Sequence, residues 1–433
     1  MRTKEKLRFI ILSLTGIVLF FVPVYRGMIP VVLIVNWIKG IMGVHLEWIS
    51  AVSCFLLAAE LAGGKLFKVP ALAAYFKGER VRCVFWSLSA VTAALRIFRV
   101  PFPFMEHPQI GGTILTLGST VFLTIAVAGS LVVFIIQSGI VEFVSVLMEP
   151  VMQPLFNLPG EAAVNILSSF VSSASVGVYF TEQYYIKKRY TTRQACSVVT
   201  SFSVVSVGYI GVIASVAGIG EQYGLLLVSS FFMVLLMGAI MVRIPPISLM
   251  DNRYADGSPQ IRDRVKMNLD ERFRLAWKAG EEKAAGFSAG ICMENFLKAF
   301  QFAQKIVGVM LPTVLFVLVL VYYTPLFTWL GYPLIPVLNL LGIPNAAMAA
   351  PSVFIGIVEV SLPGILIGGS EAAAQTRFFV ALLSIVQIIF FSEAGNAILG
   401  SRIPLNVQRL VIIFLVRTAV AIPLAAGLTH ILY

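Results

Sequence analysis

Long apolar runs, separated by short polar stretches, dominate this chain. Nine of them come close to the roughly 20 residues that an α-helix needs to cross the hydrocarbon core of a membrane. They lie at 9–24, 47–64, 83–98, 111–136, 194–218, 222–243, 302–323, 375–399 and 410–431. Two further apolar runs, 144–180 and 325–370, are interrupted by Pro, Gly and polar residues. The pattern predicts an all-α, polytopic helical membrane protein with about nine spans.

Composition supports this class. Of the 433 residues 58% are hydrophobic and only 12% are charged, whereas about a quarter of the residues in soluble proteins are charged. A soluble enzyme, a disordered scaffold and a disulfide-rich secreted domain are therefore excluded.

The net charge of +11 indicates orientation. Of the 32 basic residues, 25 fall in five clusters between apolar runs, at 2–8, 65–82, 187–193, 243–298 and 402–409. Since basic loops stay in the cytoplasm, all five lie inside if the N-terminus is cytoplasmic and Tyr433 is outside. Without a basic face interleaved with exposed aromatic residues, no nucleic-acid partner is expected.

The chain also repeats itself. Pro154, Asn157 and Gly160 recur 182 residues later as Pro336, Asn339 and Gly342, and Thr192-Arg193 recurs 184 residues later as Thr376-Arg377. The predicted spans give the two copies opposite orientations, which is the pattern of secondary transporters with a site near the membrane midplane. The division that follows is 1–104 for N-terminal spans, 105–243 for the first repeat, 244–295 for a solvated cytoplasmic linker and 296–433 for the second, inverted repeat.

Each interrupted run predicts a re-entrant helical hairpin. The first has a helix at about 159–170, a polar tip at 172–175 and a return toward 185. The second has a helix at about 345–355, a tip at 359–364 and a return to 369. Non-helical backbone at membrane depth is tolerated only where protein or a water-filled cavity surrounds it, so the tips are expected at a central cavity.

Two carboxylates stand out in this apolar setting. Glu359 lies in the second tip, and Glu393 lies in the middle of the predicted span 375–399. Because a carboxylate in the hydrocarbon region costs several kcal/mol, each is expected to face the interior as a substrate contact, a Na⁺ ligand or a proton carrier. The alternative is a structural carboxylate satisfied by neighbouring polar groups. Asn396, three residues after Glu393, is expected on the same helical face.

The first repeat supplies hydroxyl and amide groups. The predicted substrate contacts there are Asn165, Ser172, Ser173 and Ser175, and Ser203 is expected to join Glu393 in holding a coupling ion, Na⁺ or H⁺. The alternative is that these small residues let helices pack closely.

Enzymatic chemistry is not expected. The four cysteines are scattered and the three histidines lie far apart, so neither a metal site nor a disulfide frame is predicted. Gly64-Lys65 is followed by Leu66 and Ala59 replaces the first Gly of a Walker A motif, so nucleotide-driven pumping is not expected either. No catalytic residue and no cofactor other than the coupling ion is predicted.

The repeated segment 154–160, with its echo at 336–342, resembles the Gate, or nucleoside-recognition, domain. The whole layout, including Ser392-Glu393-Ala394-Gly395-Asn396, is similar to the YjiH family of bacterial inner-membrane proteins. The resemblance implies a bacterial inner-membrane location and two inverted repeats around a central site, as in the related Gate folds of nucleoside and dipicolinate transporters. It does not imply that nucleosides are the substrate.

The expected function is ion-coupled secondary transport, by alternating access, of a small polar metabolite such as a nucleoside or a carboxylate-like compound. The alternative is a non-transporting membrane subunit or scaffold in a complex with another Gate-domain protein. The expected partners are the small-molecule substrate and membrane lipids, together with a second copy of the chain or a partner Gate-domain protein.

Overall fold

The described part of the chain folds mainly into α-helices. The computed structural model describes residues 2–22, 24–25, 29–65, 80–260 and 268–433. Most of the basic cluster 65–82 (its residues 66–79) and linker residues 261–267 lie outside the described residues. The α-helices are Arg2–Phe21, Pro30–Met42, Glu47–Lys65, Arg80–Ile97, Pro103–Glu106, Pro108–Leu131, Val133–Ile136, Ile140–Phe156, Glu161–Val171, Ala174–Ile186, Thr192–Ser201, Val207–Val216, Tyr223–Met241, Leu269–Ala285, Ala289–Tyr323, Leu326–Gly331, Leu334–Leu340, Ala346–Ile355, Leu362–Gly368, Ala374–Gln387, Ala394–Gly400 and Val407–Leu432.

Among the described residues, five helical segments are long and apolar enough to cross a membrane. They are Glu47–Gly64, Ile110–Ile136, Gly220–Met241, Gly290–Tyr323 and Val407–Leu432, and each overlaps one of the nine predicted spans. Large apolar side chains remain on their outer faces, for example Val228 (69% exposed) and Phe316 (64% exposed). Helices that are apolar all round, with such faces uncovered by the protein, fit a lipid environment. The chain is a multi-pass membrane protein.

Two of the predicted spans are interrupted, whereas the sequence predicts an uninterrupted helix for each. The segment 194–218 forms broken helix 1, in which Thr192–Ser201 and Val207–Val216 are separated by residues 202–206. The segment 375–399 forms broken helix 2, in which Ala374–Gln387 and Ala394–Gly400 are separated by residues 388–393. Hydropathy misses these breaks because the separating residues are themselves largely apolar.

Backbone conformation marks the second break clearly. Ile388 ends the helix Ala374–Gln387 with φ 64°, a left-handed conformation that is unfavourable for a β-branched residue. Strained residues of this kind persist only where the surrounding structure holds them in place, and they cluster at functional sites.

A short helix was also missed. The predicted spans 9–24 and 47–64 leave residues 25–46 as a connection, but Pro30–Met42 forms a helix that packs against the helix Pro108–Leu131. Pro30 suits the first helical position because its missing N–H would be unpaired there in any case. This helix brings Asn36 and Lys39, which lie outside the repeats, close to residues of both repeats.

The helices of the two predicted hairpins form close to their expected bounds. Hairpin 1 consists of Glu161–Val171 and Ala174–Ile186, joined at Ser172 and Ser173. The Ser173 hydroxyl accepts a hydrogen bond from the Val176 N–H and so caps the second helix. Hairpin 2 consists of Ala346–Ile355 and Leu362–Gly368, joined by residues 356–361.

Each hairpin packs against the broken helix of the other repeat. In hairpin 1 the helix Ala174–Ile186 contacts Ala394–Gly400 of broken helix 2. In hairpin 2 the helix Leu362–Gly368 contacts Val207–Val216 of broken helix 1. These reciprocal contacts place the tip of each hairpin beside the break in the opposite repeat.

The central polar segment is not entirely a solvated linker. Its helix Leu269–Ala285 buries Ala276, Gly280 and Ala284 and packs against both Arg2–Phe21 and Ile140–Phe156. Charged residues such as Arg274, Lys278 and Glu282 are exposed on its other faces, which is why the charge pattern alone predicts a free linker. This helix therefore fixes the N-terminal helix to the first repeat.

Candidate functional site

Glu393 of broken helix 2 binds the tip of hairpin 1. The residue lies in the break, directly before the helix Ala394–Gly400. Its Oε1 accepts hydrogen bonds from the Ser175 backbone N–H (2.9 Å) and from the Ser175 hydroxyl (2.7 Å). Ser175 is fully buried at the start of the helix Ala174–Ile186, where the unpaired N–H groups and the helix dipole favour an anion. The carboxylate of one repeat thus serves as an external cap for a helix of the other.

Glu359 lies at the tip of hairpin 2 and is engaged at both oxygens. Its Oε2 accepts hydrogen bonds from the backbone N–H groups of Ser361 (2.7 Å) and Leu362 (2.9 Å) and from the Ser361 hydroxyl. Its Oε1 accepts a hydrogen bond from the Tyr209 hydroxyl of broken helix 1 at 2.9 Å. The carboxylate is 8% exposed and joins the hairpin to the opposite repeat.

These two contacts are related by the repeat. Ser175 and Glu359 are 184 residues apart, and so are Tyr209 and Glu393. In each contact a residue at a hairpin tip binds a residue of the broken helix in the other repeat. The chemical roles are exchanged, because the acid lies on the broken helix in one contact and on the tip in the other.

A cavity of about 370 Å³ opens where these groups meet. Glu359, Glu393 and Tyr209 line it, and the polar side chains beside them are mainly hydroxyls. The other polar lining residues are Asn36, Lys39, Thr120, Thr124, Ser172, Ser173, Ser206 and Ser392. Valine, leucine and phenylalanine side chains form the rest of the wall. The volume is in the range that accepts small-molecule ligands.

Four of the seven predicted substrate contacts therefore line one cavity: Glu359, Glu393, Ser172 and Ser173. Ser175 lies behind them, bound to Glu393. The structure brings these five residues, which come from both repeats, to one place.

Asn165, Asn396 and Ser203 lie outside the cavity wall. The Asn165 side chain donates to the Thr181 hydroxyl at 2.6 Å and so joins the two helices of hairpin 1. The Asn396 side chain donates to the carbonyl of Phe391. The prediction that Glu393 and Asn396 share one helical face is wrong, because Glu393 precedes the helix that contains Asn396. Ser203 is buried in the break of broken helix 1.

The helix Pro30–Met42 contributes the group that sequence analysis missed. Lys39 is a basic residue in the wall that also contains Glu359 and Glu393, and among the described residues it forms no ion pair within 4.0 Å. The signal was present in the sequence, because Lys39 is the single charged residue between Val31 and Met42.

The cavity is suited to binding. Carboxylate, ammonium and hydroxyl groups can hold a small polar solute or exchange a proton with it. Within the described ranges, no three His, Cys, Asp or Glu residues are grouped as metal ligands, and the cavity wall contains neither His nor Cys.

Comparison with known proteins supports the same class. The family model described as "Gate: Nucleoside recognition" matches residues 119–220, which include hairpin 1 and broken helix 1. An uncharacterized protein of Alkalihalophilus pseudofirmus is 30% identical over 445 aligned positions, which cover 100% of this chain and 96% of that protein. The chain therefore belongs to the same family as the Alkalihalophilus protein and is a membrane protein with a Gate, or nucleoside-recognition, domain.

Proposed function

We propose that the protein is a secondary transporter that moves a small polar metabolite across the bacterial inner membrane by alternating access. The observation that carries this proposal is the pair of reciprocal contacts, Glu393 with Ser175 and Glu359 with Tyr209. Each joins a hairpin tip to the opposite repeat beside one cavity. Breaking one contact while keeping the other would open the cavity to one side only.

In this proposal the two hairpins are re-entrant gates. The basic clusters favour a cytoplasmic N-terminus and an external Tyr433, and this orientation gives the two repeats opposite directions. Interrupted helices in matching positions of inverted repeats are the arrangement through which secondary transporters bind solutes near the midplane. The matching breaks at 202–206 and 388–393 support this assignment.

The lining suggests the substrate's chemistry. Glu393 binds Ser175 through Oε1 only. No described residue donates a hydrogen bond to its other oxygen, which therefore suits a cationic or hydroxyl group of the substrate. Lys39 suits a carboxylate or another anionic group, and the serine and threonine hydroxyls suit ribose-like or amide groups. A thermal-shift screen of the purified protein against nucleosides, carboxylates, amino acids and dipeptides identifies the class, because a ligand that binds the folded state raises the melting temperature.

The decisive test is uptake into proteoliposomes. We expect Glu393→Gln to reduce uptake of the ligand found in the screen at least about tenfold, because the neutral amide loses the charge-assisted bond and cannot carry a proton. Glu371→Gln is the matched control, since Glu371 is exposed in the loop after hairpin 2. Uptake by Glu393→Gln equal to that of the wild type would refute the role of this acid. Absence of uptake by the wild type would refute the transporter itself.

The coupling ion is tested in the same vesicles. A proton carried by Glu393 or Glu359 makes uptake depend on a pH gradient, whereas Na⁺ held at Glu393 and Ser203 makes it depend on a Na⁺ gradient. Each gradient is imposed separately, with choline chloride replacing NaCl.

Orientation has its own test. We expect a membrane-impermeant maleimide to label Tyr433→Cys in intact cells and to leave Ser258→Cys, in the polar segment between the repeats, unlabelled. Both variants carry serine in place of the four native cysteines. Labelling of Ser258→Cys alone would show that the chain has the opposite orientation to the one proposed.

A further inference from the structure

A fully buried arginine lies between the two broken helices. Arg417, in the helix Val407–Leu432, is 0% exposed. Its Nε donates to the Val386 carbonyl at 2.5 Å and its Nη1 to the Thr200 carbonyl at 3.4 Å. Its Nη2 is buried and finds no hydrogen-bond partner in the described part of the chain. No acidic side chain of that part forms an ion pair with this guanidinium within 4.0 Å.

Both carbonyls that Arg417 binds lie at the end of a helix. Thr200 is in the last turn of Thr192–Ser201, and Val386 is in the last turn of Ala374–Gln387. The last four carbonyl groups of a helix have no partner within it, and this end carries the negative pole of the helix dipole. The guanidinium therefore lies where the first halves of both broken helices end.

The buried positive charge of Arg417 has no counterpart in the first repeat. The residue 184 positions before Arg417 is Met233, in the helix Tyr223–Met241. Met233 is buried like Arg417 but is apolar. One cation from the second repeat thus serves helix ends from both repeats.

We propose that Arg417 is a tethered cation: its guanidinium occupies a monovalent-cation site formed by carbonyl oxygens at the ends of the two broken helices. In transporters with broken helices, such carbonyl ends coordinate the coupling cation. A buried charge without a carboxylate partner is costly, and here the two negative helix ends offset that cost. A consequence, which rests on the proposed transport function, is that a mobile coupling ion binds at the cavity carboxylates and not at these carbonyls.

The experiment is chemical rescue of the purified full chain in mild detergent. We expect Arg417→Ala to melt at a lower temperature than the wild type. About 20 mM guanidinium chloride should restore at least about half of the lost melting temperature, because a cation that binds the vacated site stabilises the folded state. Choline chloride at the same concentration should restore nothing. Arg409→Ala, which alters an exposed arginine of the same helix, should be insensitive to both salts.

Failure of guanidinium to restore Arg417→Ala overturns the proposal, and so does equal stabilisation of the wild type. If Arg417→Ala cannot be purified, Arg417→Lys and Arg417→Gln decide the question. A tethered cation predicts that Lys gives folded protein and Gln does not, whereas equal yields from the two would show that hydrogen bonding alone matters. Because these readouts are stability and yield, absence of transport by the wild type leaves the proposal standing.

Discussion

Glu393 and Ser175 are 218 residues apart in the sequence, yet one carboxylate oxygen of Glu393 accepts two hydrogen bonds from Ser175. One donor is the backbone N–H at the start of a hairpin helix, and the other is the serine hydroxyl. The contact joins the two repeats at the wall of the cavity. It also explains how a half-buried carboxylate is accommodated in so apolar a protein, because helix N–H groups that point at an anion stabilise it.

The two donors of Ser175 can be separated by mutation. Ser175→Ala removes the hydroxyl and keeps the N–H, so we expect a loss of about 1.5–3 kcal/mol of stability, the range for one hydrogen bond to a charged group. Glu393→Ala removes both bonds and should cost more. Melting temperatures of the two variants check the order. Ser87→Ala is the control, since the Ser87 hydroxyl binds only a carbonyl of its own helix; an equal effect there would contradict the assignment.

The contact between Tyr209 and Glu359 predicts energetic coupling. Tyr209→Phe and Glu359→Gln each weaken the same hydrogen bond, so the double variant should lose less stability than the sum of the single losses, by about 0.5–3 kcal/mol. A double-mutant cycle of unfolding free energies measures this coupling. A second cycle pairing Tyr209→Phe with Ser175→Ala is the control for the method. Strict additivity of Tyr209→Phe and Glu359→Gln would show that the contact contributes nothing.

Much of this architecture is predictable from the sequence, for physical reasons. Apolar runs predict the five long helices because a membrane span must satisfy its backbone groups internally. The polar interruptions predict the hairpin helices, such as Ala346–Ile355, almost to the residue. Glu359 and Glu393 stand out in the sequence because charge is scarce in the apolar runs and a carboxylate in the hydrocarbon region is costly.

The rest depends on contacts that local patterns do not encode. The breaks at 202–206 and 388–393 consist mostly of apolar residues, so no hydropathy signal marks them, and Ile388 adopts positive φ only because of its surroundings. The same breaks separate Glu393 from the face of Asn396. Lys39 joins the cavity through tertiary packing of a helix outside the repeats. The positions of the hairpin helices within each repeat are predictable from the sequence, but the contacts across the two repeats are not.

Substitution of Gly368 tests whether hairpin 2 must lie close to broken helix 1. A Cβ atom at this position would be 2.0 Å from the carbonyl oxygen of Val216. Because that obstacle is backbone, the two elements must move apart, and we expect Gly368→Ala to cost about 1–3 kcal/mol and to reduce uptake. Gly427→Ala, where a Cβ meets nothing within 4 Å, should be neutral or slightly stabilising in its helix. A stable, active Gly368→Ala variant would show that the approach is not required.

Substitution of Lys39 tests whether the N-terminal helices take part in substrate selection. The side chain lines the cavity together with Glu359 and Glu393, so a substrate carboxylate placed there gains a charge-assisted bond. We expect Lys39→Met to raise the KM for carboxylate-bearing substrates about 10- to 150-fold and to leave the KM for neutral ones nearly unchanged, because losing one such bond costs about 1.5–3 kcal/mol. Lys278→Met, at an exposed position of the polar helix, controls for net charge. An equal change for both substrate classes would assign Lys39 to the stability of the cavity wall instead of to recognition.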